Sequence, residues 1–481
     1  MLKLLRRMRR RELITAALCA LLVLGQIYFD LALPDYMTDL TTLIKTPGSL
    51  PGDIAAVGGR MLLCALASAV LAITAGFLAA RTAAGFSFSV REDLFHHVMT
   101  LGSAEMQEFS VPSLITRTTN DITQIQMVIA MGLQMVIKAP VMAVWAVAKI
   151  LGKSWELSAV TAAVVVVLCV TILCVLRVCL PRFRIVQKLT DQINRVAREN
   201  LTGINVVHAF NAEGYQNEKF DGYSRDMMNT QMKNQKLFSL IQPVLSLGMN
   251  GLSLAVYWVG AALVQRTADA AGRLAMFTNV VVFSTYATYV VMSFMMLVMI
   301  FMLAPAAQVS AERIGRVLEA QPAVTPGQAQ DAPETGTVEF RDVSFRYPGA
   351  QDDALSHISF RVGKGQTLAI IGATGSGKST LIGLIPRFYD VTGGQVLVDG
   401  RDVREFTFDA LYSRLGYVTQ RATLFSGTVQ SNVFFGSGSA PETEETLQKA
   451  LDLSQAAEFV NSYPEGAQHR IAQLGRNVSG G

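Results

Sequence analysis

Charge is scarce in this chain. Asp, Glu, Lys and Arg make up only 16% of its 481 residues, against roughly a quarter in an average soluble domain. That shortage argues for a membrane protein, and the 51% hydrophobic share must then be concentrated in spans. The net charge of +4 is too small to point to nucleic acid, and no nucleic-acid partner is expected. Cysteine is also sparse. Cys19, Cys64, Cys169, Cys174 and Cys179 all fall in or next to apolar runs, and no C-x-x-C pair occurs. They read as reduced thiols packed as small hydrophobes. There is no low-complexity tract and no short internal repeat.

What is present is a series of long apolar runs. About 20 apolar residues cross a hydrocarbon core. Met61 to Ala80, Leu157 to Leu176, Leu237 to Gln265 and Leu274 to Ala311 carry no charge. Leu13 to Phe29 is a shorter candidate, and Val128 to Ala148 is interrupted by Lys138. These are six expected spans, all before Glu312. From Val338 onward no segment is long and apolar enough to cross. Lys3, Arg6, Arg7, Arg9, Arg10 and Arg11 place the N-terminus in the cytoplasm by the positive-inside rule. Six spans then return the rest of the chain to the cytoplasm. A cleavable leader is disfavoured, because more spans come after it and Phe29 to Pro34 makes a poor cleavage site.

The loops alternate in length. Those expected outside are short, roughly 34–59, 150–155 and 266–273. Those expected inside, roughly 81–125 and 182–236, are long, polar and helically patterned, as Leu94, Val98, Leu101 and Met106 show. At about 1.5 Å per residue they carry the membrane helices tens of ångströms into the cytoplasm. Gln321 to Gly336 is rich in Pro, Gly and polar residues and reads as a linker. Beyond it, Val338 to Tyr347, Ile358 to Val362 and Gln395 to Val398 read as strands.

One motif carries chemistry. Gly372-Ala-Thr-Gly-Ser-Gly-Lys-Ser-Thr380 fills every fixed position of the phosphate-binding loop G-x-x-x-x-G-K-[ST]. Thr367 to Ile371 before it reads as a buried strand, and Ser379 to Phe388 after it as a helix. Successive loop N–H groups at a helix start form an anion nest, so Gly372, Ala373, Thr374, Gly375, Ser376 and Gly377 are expected to cradle a triphosphate.

Six spans, two long cytoplasmic extensions, a linker and this loop, in that order, resemble one half of an ABC exporter of the multidrug and lipid type. The resemblance covers nearly the whole chain and implies an all-α polytopic membrane domain over 1–320, a linker over 321–336 and an ATP-binding domain over 337–481. The second part is expected to be an incomplete α/β P-loop NTPase domain. The resemblance implies ATP and Mg²⁺ as cofactors. Lys378 would bridge the β- and γ-phosphates, Ser379 and Gln420 would hold Mg²⁺, and Thr380 would add a phosphate contact. Tyr347 matches the aromatic that stacks on adenine. Asn477-Val-Ser-Gly-Gly481 is similar to the start of the family signature, with Val478 in place of leucine. Ser479, Gly480 and Gly481 would then contact the γ-phosphate held by the opposite subunit. Ser113 to Asp121 and Glu199 to Glu213 look like the two coupling-helix regions.

The family's water-activating residues come after its signature, and none lies within this sequence. No catalytic residue is therefore assigned, and the chain as given is expected to bind ATP without hydrolysing it. The resemblance implies a dimer with an identical or related half-transporter, surrounding lipid, and an amphipathic small-molecule substrate exported across the plasma membrane. A non-hydrolysing regulatory or channel-like subunit, or an inactive truncated fragment, stay open as alternatives. Lys138 stands mid-span, where substrate contact and a simple family habit of a base before Pro140 are both open. The methionines from Met292 to Met302 are read mainly as packing, with a permissive cavity as the alternative.

Overall fold

The computed structural model describes residues 2–45, 50–151, 154–267, 269–420, 423–436 and 441–478. It divides into two compact units: Met1–Leu101 with Glu105–Gln321, and Pro322–Gly481 with Gly102–Ala104.

The first unit is helical. Its long helices are α1 (Arg10–Lys45), α2 (Pro51–Thr100), α3 (Ile122–Leu151), α4 (Trp155–Thr202), α5 (Glu213–Phe238), α6 (Ile241–Arg266) and α7 (Ala270–Glu319). Among the described residues six stretches are long and apolar enough to cross a membrane: Arg10–Ile44, Pro51–Thr100, Val111–Leu151, Trp155–Thr202, Glu213–Arg266 and Gly272–Glu319. Each expected span lies inside one of them. A 50-residue helix such as α2 is about 75 Å long, while the hydrocarbon core is about 30 Å thick. The excess forms the expected extensions.

Proline marks several of the joints. Pro243 has no N–H to give the carbonyl of Ser239, and α5 stops at Phe238 before α6 resumes at Ile241. Pro51 opens α2 at its first position, where the missing donor costs nothing. Pro34, Pro140, Pro181 and Pro305 lie within α1, α3, α4 and α7, as membrane helices tolerate.

The membrane core follows from side-chain size. Cys19, Val23, Ile27 and Leu31 bury one stripe of α1, in a cluster with Ala75 and Ala79 of α2 and Phe283 and Tyr286 of α7. Small residues four apart let helices approach closely. Gly260 of α6 is the tightest case, because a Cβ there would lie 2.5 Å from Val280 of α7. A second cluster joins Phe86 and Leu94 of α2, Ile122 and Ile129 of α3, and Ile314 and Val317 of α7. All five cysteines are free.

The two coupling-helix expectations fare differently. Ile204–Ala209 is a separate short helix, set off by Gly203 and by Asn211 at φ 52°, inside the expected Glu199 to Glu213 region. Ser113 to Asp121, by contrast, lies within a helix starting at Val111 that runs into α3 through a π turn at Arg117–Asp121. The separate short helix here is Ser103–Phe109. The π turn is held by Ser310 Oγ donating to Asp121 Oδ1 at 2.9 Å and by Arg117 donating to the Arg313 carbonyl at 3.1 Å.

The second unit is built on an antiparallel sheet of β1 (Val338–Phe345), β2 (Leu355–Val362), β3 (Gly393–Val398) and β4 (Arg401–Asp402), in the order β2-β1-β3-β4. Phe340, Val343 and Phe345 of β1 are buried with Val396 and Val398 of β3 and with Phe406. The helix α8 (Lys378–Leu384) lies between β2 and β3 in the chain and buries Leu381 and Leu384 in the same core. It ends before Pro386, with Arg387 at φ 57° and Phe388 N–H donating to the Gly383 carbonyl, the closure a left-handed residue provides. Farther along, β5 (Gly427–Thr428) pairs with β6 (Arg470–Ile471), and Leu447, Leu451 and Val460 form a smaller core. Part of the expected linker is anchored: Gly327 and Ala329 hydrogen-bond to Phe406 and Glu405.

One expected element is not formed. Thr367 to Ile371 forms no regular element and pairs with no strand among the described residues, and Ile371 is 92% exposed. A near-continuous apolar run is the pattern of a strand covered on both faces, and here nothing among the described residues covers it.

Candidate nucleotide site

The loop from Gly372 to Thr380 is positioned by the helix that continues it. Leu381 and Leu384 fix α8 in the sheet core, so the start of the helix at Lys378 is held in place. The first N–H groups of any helix lack internal partners. Gly375 at φ 87° and Gly377 at φ 86° turn the backbone ahead of them, a conformation glycine adopts without steric cost. Gly377 is constrained twice, because a Cβ there would lie 2.7 Å from Leu355 and 2.9 Å from the Ala354 carbonyl. Nothing lies within 4 Å of a Cβ built at Gly375, so its side of the loop is open.

The Lys378 ammonium folds back across the loop and donates to the carbonyls of Gly372 and Ala373, both at 2.7 Å. A cation thus sits among loop carbonyls beside a helix start, and the loop is rich in donors. Ser376 N–H donates to the Ala373 carbonyl at 3.2 Å and closes the turn. Thr374 and Ser379 are exposed. These residues fit a polyphosphate, since the Lys378 ammonium and the exposed Thr374 and Ser379 hydroxyls can all donate to phosphate oxygens.

Thr380 and Tyr347 are brought together. Their hydroxyls are hydrogen-bonded at 2.8 Å, which ties the expected base-stacking ring to α8. That ring meets Phe345 and Tyr389 edge-on, at 4.8 and 5.4 Å between centroids. Tyr389 was not singled out from sequence. Its only signal was its place just after the helix expected beyond the loop. Gln420 is exposed and makes no hydrogen bond with the described residues. It ends an irregular stretch in which Tyr417 packs edge-on against Phe388 at 5.3 Å and Val418 is 93% exposed. Ser479, Gly480 and Gly481 lie outside the described residues. Just before them, Asn477 bridges the Arg470 carbonyl and the Ala472 N–H.

The membrane unit holds polar groups the sequence reading did not pair. Lys138 is neutralised by Asp30 of α1 at 3.2 Å, with both side chains 19% exposed. Ser68 of α2 donates to the same carboxylate. Lys149 pairs with Asp35 at 2.6 Å, and the buried Tyr286 hydroxyl donates to Asp35 and to the Leu31 carbonyl. The signal was present as Asp30 and Asp35 among the acids of α1 and as Lys138 and Lys149 in α3. Their registers could not be matched without the packing.

Comparison with known proteins agrees with this organisation. Residues 13–294, more than half of the chain, match the family described as "ABC transporter transmembrane region". Residues 355–481 match the family described as "ABC transporter". The chain is 37% identical over 473 residues to an uncharacterized ABC transporter ATP-binding protein of Mycobacterium tuberculosis, covering 96% of this chain and 79% of that one. It is 32% identical over 416 residues to an uncharacterized ABC transporter ATP-binding protein of Bacillus subtilis, covering 86% and 71%. It is 30% identical over 405 residues to an ATP-dependent lipid A-core flippase of Aromatoleum aromaticum, covering 84% and 66%. A multi-pass helical unit joined in one polypeptide to a P-loop unit, matched along nearly its full length by such relatives, makes this chain a member of the ABC transporter family.

Proposed function

We propose that the chain is one half of a dimeric exporter that uses ATP to move amphipathic or hydrophobic molecules (drugs, lipids or peptides) outward across the cytoplasmic membrane. The observation that carries this is a P-loop held open at Gly375, with Lys378 beside it, on the same chain as six membrane-length helices. The resemblance to a lipid A-core flippase supports a lipid-like substrate.

In this reading Gly372 to Gly377 cradle the phosphates and Thr380 adds a contact. Lys378 gives up its two loop carbonyls to neutralise the β- and γ-phosphates. Ser379 and Gln420 would hold Mg²⁺, which would offset phosphate charge. Tyr347 stacks on the base, with its hydroxyl anchored on Thr380. Ser479, Gly480 and Gly481 serve the nucleotide of the opposite subunit, which is a second copy or a related half. The N-terminus and the nucleotide unit lie in the cytoplasm.

The test is reconstitution of the assembled transporter in liposomes carrying a fluorescent phospholipid. Movement of that lipid that requires MgATP and is lost in Lys378→Ala is expected. Nucleotide binding without any ATP-dependent movement of lipid, dye or peptide would contradict the export reading and favour a regulatory subunit.

A further inference from the structure

The membrane unit contains a cavity of about 420 Å³ between the N-terminal segment, α3 and α7. Leu5 and Met8 line it from the N-terminal side, Met131 and Met135 from α3, and Ile300 and Leu303 from α7. No residue lining it has a polar side chain. A pocket for a many-featured ligand needs a few placed polar groups to orient it. This one has none, so the part of a ligand that enters must be featureless hydrocarbon. Three of these residues are flexible methionines, which adapt to a chain of variable shape.

The chain next to the lining residues Leu5 and Met8 has the opposite character. Arg6 and Arg7 stand between Leu5 and Met8 in the chain and are exposed, as are Arg10 and Arg11. Adjacent Cα atoms are about 3.8 Å apart, so these guanidinium groups start within a few ångströms of the cavity lining. Arg9 is paired with Glu92 and Lys3 with Glu319. Arg6, Arg7, Arg10 and Arg11 have no ion-pair partner among the described residues. A second cavity of about 580 Å³ flanks the same segment, lined by Lys3, Arg7 and Arg316 and by Glu312 and Glu319. Unpaired arginines beside a wholly apolar chamber complement an anion attached to a hydrocarbon tail, and the bilayer supplies such molecules where a polybasic segment meets it.

We propose that this cavity is a binding site for an anionic bilayer lipid, with one acyl chain between α3 and α7 and the phosphate at Arg6 and Arg7. The site is separate from the nucleotide loop and needs no nucleotide to fill. It fastens the N-terminal segment to α3 and α7 through the lipid.

The test uses the full chain in phosphatidylcholine nanodiscs with a photoactivatable phosphatidic acid, its diazirine midway along one acyl chain. A phosphatidylcholine carrying the same chain is the neutral control. Crosslinks mapping to residues 128–137 and 300–303 are expected for the anionic probe. They should fall at least about tenfold with the neutral probe, with Met131→Trp, which fills the cavity, and with the combined Arg6→Gln and Arg7→Gln variant. Binding of a fluorescent ATP analogue, read on the same samples, should be unchanged in every variant. That readout separates failure of the lipid site from failure of the nucleotide reading. Equal labelling by both probes would overturn the proposal. So would labelling that is lost with the arginines but persists in Met131→Trp, because that is attraction to the membrane surface without entry.

Discussion

Gly375 and Gly377 lie two residues apart in the same loop, and they make different demands. Both have positive φ, which costs an L-residue about 1–2 kcal/mol. Only Gly377 also faces a backbone carbonyl and a leucine methyl within 3 Å of a built Cβ. Gly377→Ala should therefore weaken nucleotide binding and loosen α8 more than Gly375→Ala does. Titration with a fluorescent nucleotide, with limited proteolysis alongside, separates the two. Equal effects would mean that the contact with Ala354 is unimportant. In the membrane, Asp30→Asn should destabilise the solubilised protein by about 3 kcal/mol, since it strands a mostly buried lysine. Adding Lys138→Met should recover much of that loss. Thermal unfolding of the two variants measures the coupling, and additive losses would show that the pair does not act as a unit.

Helix joints track the sequence closely because their causes are local. Pro243 takes one N–H from the ladder at the joint between α5 and α6, and Gly203 with Asn211 frames the short helix Ile204–Ala209. The six apolar runs were readable for the same reason, since about twenty apolar residues need no tertiary partner to declare themselves. Thr367 to Ile371 shows where such reading ends. Its composition specifies a strand, but a strand forms only against a neighbour, and no residue in the run states which neighbour that is. The ion pairs of α1 with α3 were unreadable for a related reason: a partner 108 residues away is set by helix register. Likewise the loop's motif named Lys378, but only packing shows that Tyr347 is tied to Thr380. At this scale the close approach of α6 and α7 makes a further test. Gly260→Val should force the helices apart and cost about 1–3 kcal/mol, and Val280→Ala should relieve it. Unchanged melting of Gly260→Val would show that the approach is not tight.

Taken whole, the chain joins long helices that outrun a bilayer to a small unit carrying a P-loop. The proposed orientation puts residues 203–212 in the cytoplasm and the turns after α3 and α6 outside. In a background without the five native cysteines, Ser154→Cys and Asp269→Cys should react with an impermeant maleimide on intact cells. Gly203→Cys should react only after permeabilisation. The reverse pattern would invert the topology and place the nucleotide loop where no ATP is supplied. The proposed function depends above all on that loop, and equilibrium binding of a fluorescent ATP analogue in the presence of Mg²⁺ tests it most directly. The chain should bind the analogue saturably, ATP should displace it, and Lys378→Ala should weaken binding at least about tenfold, as loss of a charge-assisted contact requires. Equal affinity of the two proteins would contradict the assignment of Gly372 to Thr380 as the nucleotide site.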